Sequence, residues 1–133
     1  MILLVEDDPN DALLAQRALQ RAGASQEILH LQDGEEAINY LSGKPPFADR
    51  SRYPLPSLVL LDLKMPRMSG FDVLAWLQGK PEFEELAVVV LTGSIEPQDA
   101  ENAKKLGAVG YMRLSRSTWG SWWRSPKVLM LVG

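Results

Sequence analysis

Leu58-Val59-Leu60-Leu61-Asp62-Leu63-Lys64-Met65-Pro66-Arg67-Met68-Ser69-Gly70 is the stretch that decides the architecture. Its opening run, 58–61, is apolar, unbroken and bounded by turn-forming residues. A run of that kind reads as a central strand buried on both faces, as in a parallel sheet. Asp62 then stands at the strand's carboxyl end, where open parallel sheets gather their functional groups.

The rest of the chain alternates short apolar runs with longer segments of helical spacing, the pattern of a parallel sheet covered by helices on both faces. Ile2–Val5 reads as the first strand. Pro9-Asn10-Asp11 starts a helix to about Arg21, with Leu13, Leu14, Ala18 and Leu19 on one face and Gly23 past its end. Glu27–Leu31 reads as a second strand, and Asp33-Gly34-Glu35-Glu36 opens a helix carrying Ala37, Ile38 and Leu41. Between Gly43 and Pro56 stand prolines 45, 46, 54 and 56 with several charged residues, which predicts an extended surface loop and no packed element. Ser69-Gly70-Phe71 leads into a helix with Val73, Leu74 and Leu77. Leu86–Leu91 forms a buried run ending at Thr92, Glu96 to Leu106 a helix closed by Gly107, and Val109–Met112 a fifth strand.

The 133 residues suit a single domain. Hydrophobic residues make up 46% and charged residues 23%, the balance of a globular chain. A formal charge of −3 with no long basic stripe argues against nucleic acid and anionic lipid as partners, so proteins are expected instead. With no cysteine, neither a disulfide framework nor a thiolate metal site is available, which suits the cytoplasm. Met1-Ile2-Leu3-Leu4-Val5 lacks the basic start and cleavage site of a signal peptide, and no run approaches the ~20 apolar residues that span a bilayer.

Glu6, Asp7 and Asp8 follow the first strand and Asp62 ends the third, so a right-handed wound sheet brings them to one crevice. Clustered carboxylates repel one another, and a small hard cation such as Mg²⁺ relieves that repulsion. A carboxylate so placed can attack an incoming phosphoryl group, because that transfer needs mainly positioning and charge neutralisation. Asp62 is the best nucleophile available. Taken alone, Glu6-Asp7-Asp8 reads as a helix cap or solvated turn; the distant Asp62 reverses that. His30, the only histidine, reads as a strand residue without a catalytic role.

Val5-Glu6-Asp7-Asp8-Pro9, then Leu60 to Gly70 of the opening stretch, then Leu91-Thr92-Gly93, then Gly107-Ala108 with Tyr111, resembles the receiver domain of two-component response regulators in order and spacing. The resemblance covers residues 2 to about 112. It implies a flavodoxin-like doubly wound α/β fold with five parallel strands in the order 2-1-3-4-5. It further implies that a sensor histidine kinase donates the phosphoryl group to Asp62. By the same resemblance Glu6 and Asp7 are the acidic pair, Mg²⁺ is the cofactor, and the Lys64 backbone carbonyl completes the metal shell. Thr92 binds the phosphoryl oxygen and Tyr111 is the aromatic switch. The long proline-rich loop is similar to that of the single-domain regulators that partner phytochromes. The chemistry implied is self-phosphorylation without separate small-molecule turnover. Two alternatives differ in kind: a degenerate receiver that binds partners without phosphorylation, and a metal-dependent phosphatase. The latter is disfavoured by Lys64, which stands where a second aspartate is needed.

The chain departs from the pattern at 114. The family carries a lysine there, usually followed by proline; this chain has Leu114-Ser115. Trp119-Gly120-Ser121-Trp122-Trp123-Arg124-Ser125-Pro126 does not read as the expected fifth helix. The expected division is a receiver domain over 1–113 and an aberrant tail over 114–133. G/C-rich codons chosen for Leu114 to Val128, read from their third base, encode Lys-Pro-Val-Asp-Leu-Gly-Glu-Leu-Val-Ala-Val-Ala-Gln-Gly. A frameshift is therefore the expected origin of the tail, to be decided by the DNA sequence. A missing fifth helix would uncover an apolar face, so a dimer or larger assembly is expected.

Overall fold

The computed structural model describes residues 1–21, 23–92, 96–113 and 118–120, with backbone alone at 92, 112, 113 and 118–120. The chain alternates as predicted: β1 (Ile2–Val5), α1 (Pro9–Arg21), β2 (Ile28–Leu31), α2 (Gly34–Ser42), β3 (Leu58–Asp62) and α3 (Gly70–Leu77). After a 3₁₀ turn at Pro81–Phe83 come β4 (Ala87–Thr92), α4 (Pro97–Lys105), β5 (Gly110–Arg113) and β6 (Thr118–Gly120). The first five strands are parallel in the order 2-1-3-4-5. β3 lies between β1 and β4, with Leu60 opposite Leu4 on one side and Val89 on the other.

Period-two alternation sorts the central strands onto two faces. Leu3, Val5, Val59, Leu61, Val88 and Val90 point into the core that holds Ala37, Tyr40, Leu41, Val73, Leu74, Leu77 and Ala103 of α2, α3 and α4. Ile2, Leu4, Leu58, Leu60, Ala87, Val89 and Leu91 point the other way, toward Ala12, Ala15, Ala18 and Leu19 of α1. Both faces are dry, which is why these strands are continuous apolar runs instead of alternating ones.

Two sequence expectations are corrected. A sixth strand joins the sheet: β6 pairs antiparallel with β5, Thr118 opposite Arg113 and Gly120 opposite Tyr111. A chain that turns back after β5 can satisfy that strand's open edge directly, so residues 118–120, expected only as part of an aberrant tail, are a strand added to the five expected. Residues 114–117 and 121–133, with the rest of the expectation about the tail, lie outside the described residues. The loop at 43–56 is also more than an extended surface connection. Gly43 closes α2 in the left-handed region at φ 74°, its N–H donating to Asn39 and Tyr40 carbonyls. Arg50 then donates to the carbonyls of Tyr40, Leu41 and Tyr53. Tyr40, Phe47 and Tyr53 pack ring against ring at 5.1–6.2 Å between centroids. Proline density removed the loop's own backbone ladder, and side chains supply the packing.

Candidate functional site

The parallel register carries the ends of β1 and β3 to one level, since Val5 pairs with Leu61 and the next residues on each chain are Glu6 and Asp62. Carboxylate oxygens of Glu6, Asp7 and Asp62 lie within 4.8 Å of one another. Asp8, the fourth acid, is spent otherwise. It accepts the N–H groups of Asn10 and Asp11 at 2.8 and 3.3 Å, capping α1, with Pro9 at the first helical position. The cap reading of the acidic run is thus right for Asp8 and wrong for its two neighbours.

Glu6 is buried, at 1% exposure, and Asp62 is half-buried, while Asp7 faces solvent. The Asp8 N–H donates to Glu6 Oε1 at 3.0 Å, and the Lys64 N–H to Asp62 Oδ1 at 3.1 Å. Glu6 Oε2 is buried with no hydrogen-bond partner. Asp62 beside it helps only if one of the two carries a proton. Accordingly burial, partly offset by the Asp8 N–H and reinforced by the charge of Asp62, pushes the Glu6 carboxyl up to about 9. Burial also raises Asp62 to about 6, against the lowering effect of the Lys64 N–H. An orphaned buried oxygen within a set of three hard oxygen donors fits a divalent cation such as Mg²⁺.

The segment after Asp62 turns sharply. Gly70 donates its N–H to Leu63 O, and a Cβ at Gly70 would overlap the Asp62 carbonyl oxygen, so only glycine lets α3 start this close to the acid. Ser69 and Asp72 close a capping box over that helix start. Arg67, at φ 67°, sits in the left-handed region and reaches Asp33 at 3.6 Å.

Thr92 ends β4 one residue beyond Leu91, the partner of Asp62, so its backbone borders the crevice; its side chain lies outside the described residues. Tyr111 is on β5 opposite Val90, half-buried against the core of the α2–α4 face. Lys64 is exposed beside the acids. One residue that sequence reasoning set aside is next to the site: the His30 ring lies 2.7 Å from the Glu6 carbonyl. Only the register of β2 on β1 brings that about.

A model of the response regulator receiver domain family matches residues 2–113. The chain belongs to that family. This receiver is 34% identical over 117 residues to response regulator Rcp1 of Synechocystis sp., covering 88% of this chain and 78% of that protein. Among solved structures it is similar to the phosphorylated cyanobacterial phytochrome response regulator RcpA, at a TM-score of 0.76 and 34% identity over 87% of this chain and 84% of the other. It is likewise similar to the Mn²⁺-bound form of Rcp1, at a TM-score of 0.72 and 32% identity over 96% and 84%. The five-stranded parallel core is thus the receiver fold of two-component signalling. None of the receiver's described helices is long and apolar enough to cross a membrane.

Proposed function

We propose that this receiver accepts a phosphoryl group on Asp62 from a phosphohistidine of a sensor kinase, of the phytochrome type, in the cytoplasm. The observation that carries the reading is the cluster of the Glu6, Asp7 and Asp62 carboxylates, in which Glu6 keeps one buried oxygen without a hydrogen-bond partner. Glu6, Asp7 and Asp62, with the backbone carbonyl of Lys64, would hold Mg²⁺. The chemistry that ion supplies when bound is neutralisation of charge on the carboxylates and on the phosphoryl oxygens. Asp62, held by the Lys64 N–H at one oxygen, presents the other to phosphorus. The new bond is O–P, the broken bond is N–P, and the imidazole leaves with the electron pair. Thr92 at the end of β4 then meets the phosphoryl oxygens, and Tyr111 relays the change across β5. Similarity to phytochrome response regulators supports the choice of kinase.

Incubation with acetyl phosphate and Mg²⁺ followed by intact mass tests this. One added phosphoryl group is expected on the native chain and none on Asp62→Asn, because an amide is no nucleophile. Label that survives Asp62→Asn would put the acceptor elsewhere. A second reading, a receiver that binds partners without being phosphorylated, is favoured by Leu114 in place of the family's lysine. An unlabelled native chain that still binds Mg²⁺ would select it.

A further inference from the structure

His30 lies on β2 opposite Leu4 of β1, and its Nε2 is 2.7 Å from the carbonyl oxygen of Glu6. A carbonyl can only accept, so the histidine must donate, and Nε2 carries the proton in this contact. β1 ends at Val5, which leaves the Glu6 carbonyl beyond the strand ladder. The other backbone group of Glu6 is held by the same strand: its N–H donates to Leu31 O at 3.0 Å. β2 therefore grips Glu6 at both its donor and its acceptor. The Asp8 N–H fixes side-chain Oε1 at 3.0 Å, and the one polar atom of Glu6 left without a partner is Oε2, in the acidic cluster.

We propose that His30 is a positioning residue for the metal site. Its ring N–H locks the peptide between Glu6 and Asp7, the two acids that leave β1 side by side, and so sets the spacing of their carboxylates from Asp62. This rests on the reading of Glu6, Asp7 and Asp62 as cation ligands. Partners beyond the ligands themselves that orient a metal-binding group commonly change affinity by 10–100-fold when removed. His30 acts one bond further back, through the main chain, and the lower end of that range is expected.

The test is a Mg²⁺ titration of the full chain, read by calorimetry and paired with thermal melts without metal. His30→Phe keeps a ring and loses the donor; its Mg²⁺ dissociation constant should rise about tenfold. Labelling by acetyl phosphate should slow at low Mg²⁺ and recover when Mg²⁺ is saturating. His30→Gln, whose amide N–H can donate to the same carbonyl, should restore most of the affinity. Should His30→Phe not fold, His30→Thr replaces it, being suited to a strand and too short to reach Glu6. A His30→Phe chain with a lowered melting temperature but native Mg²⁺ affinity would overturn the positioning role and leave the metal site standing. A native chain without Mg²⁺ affinity would overturn both.

Discussion

At the scale of single residues, the acids of the crevice set the chain's response to pH. Glu6 at about 9 and Asp62 at about 6 bind protons more tightly in the fold than their ordinary values of 4.5 and 3.8 allow in the unfolded chain. The folded state is therefore favoured by protonation. That contribution is fully present below the ordinary carboxylate range and is lost as pH rises through about 6 and then about 9. Metal-free protein should melt at progressively lower temperature between pH 5 and pH 9, and millimolar Mg²⁺ should remove most of the fall, since the cation replaces the missing protons. Thermal melts in chelator and in Mg²⁺ across that range check it. A metal-free melting temperature that does not fall over the range would show that the acids are not crowded as described. Asp7, exposed to solvent, contributes charge to the cluster more than structure. Asp7→Ala should weaken Mg²⁺ binding severely while leaving the melting temperature of the metal-free chain nearly unchanged.

At the scale of elements, the loop between α2 and β3 is tied back to the end of α2 by the Arg50 side chain. Arg50 reaches the carbonyls of Tyr40 and Leu41 at the end of α2 and of Tyr53 further along, and its guanidinium lies 5.9 Å from the Tyr40 ring centroid. Helix C-termini leave carbonyls unsatisfied, and a cation there both donates and meets the negative end of the helix dipole. Arg50→Ala should cost about 1–3 kcal/mol in urea unfolding, with early proteolysis inside 43–57. Arg50→Lys should not restore the loss, because an ammonium cannot span several carbonyls as a planar fork does. An Arg50→Ala chain of native stability would mean that the aromatic trio alone holds the loop. The same arginine shows a limit of sequence reasoning. Four prolines announced a loop; nothing in their spacing announced that residue 50 would return to cap the helix before it.

At the scale of the whole molecule, the questions gather at the end of the sheet. Among the described residues, apolar side chains that a fifth helix would ordinarily cover, such as Leu60, Val89 and Leu91, are buried. β6, three residues long, is the last strand of the sheet among the described residues, and the backbone donors and acceptors of an edge strand are groups that a strand of another molecule can pair. A dimer or larger assembly is the expected state in light scattering, and a chain that stays monomeric at high concentration would overturn it. The tail's origin is a separate matter. The gene should carry a single-base insertion or deletion near the codon for Leu114 that, when corrected, restores Lys-Pro and an amphipathic helix. A gene with no such correction makes the tail a natural divergence.

The fold of 1–113 was legible because each central strand is an apolar run ended by a polar residue, and the starts of α1, α2 and α3 carry the side-chain caps Asp8, Asp33 and Ser69. Those are local signals, and local chemistry enforces them. The ordered acids at 6, 7 and 62 were legible for a related reason: strand ends in a parallel sheet meet on one side, so position along the chain implies position in space. Tertiary structure alone decided the rest. It divided Glu6-Asp7-Asp8 into a buried acid, an exposed one and a helix cap. It set His30 against the Glu6 carbonyl, and it returned residues 118–120 to the edge of β5. Each of these depends on which strand lies beside which and in what register, and the pairing energy that fixes register is spread over residues far apart in the chain.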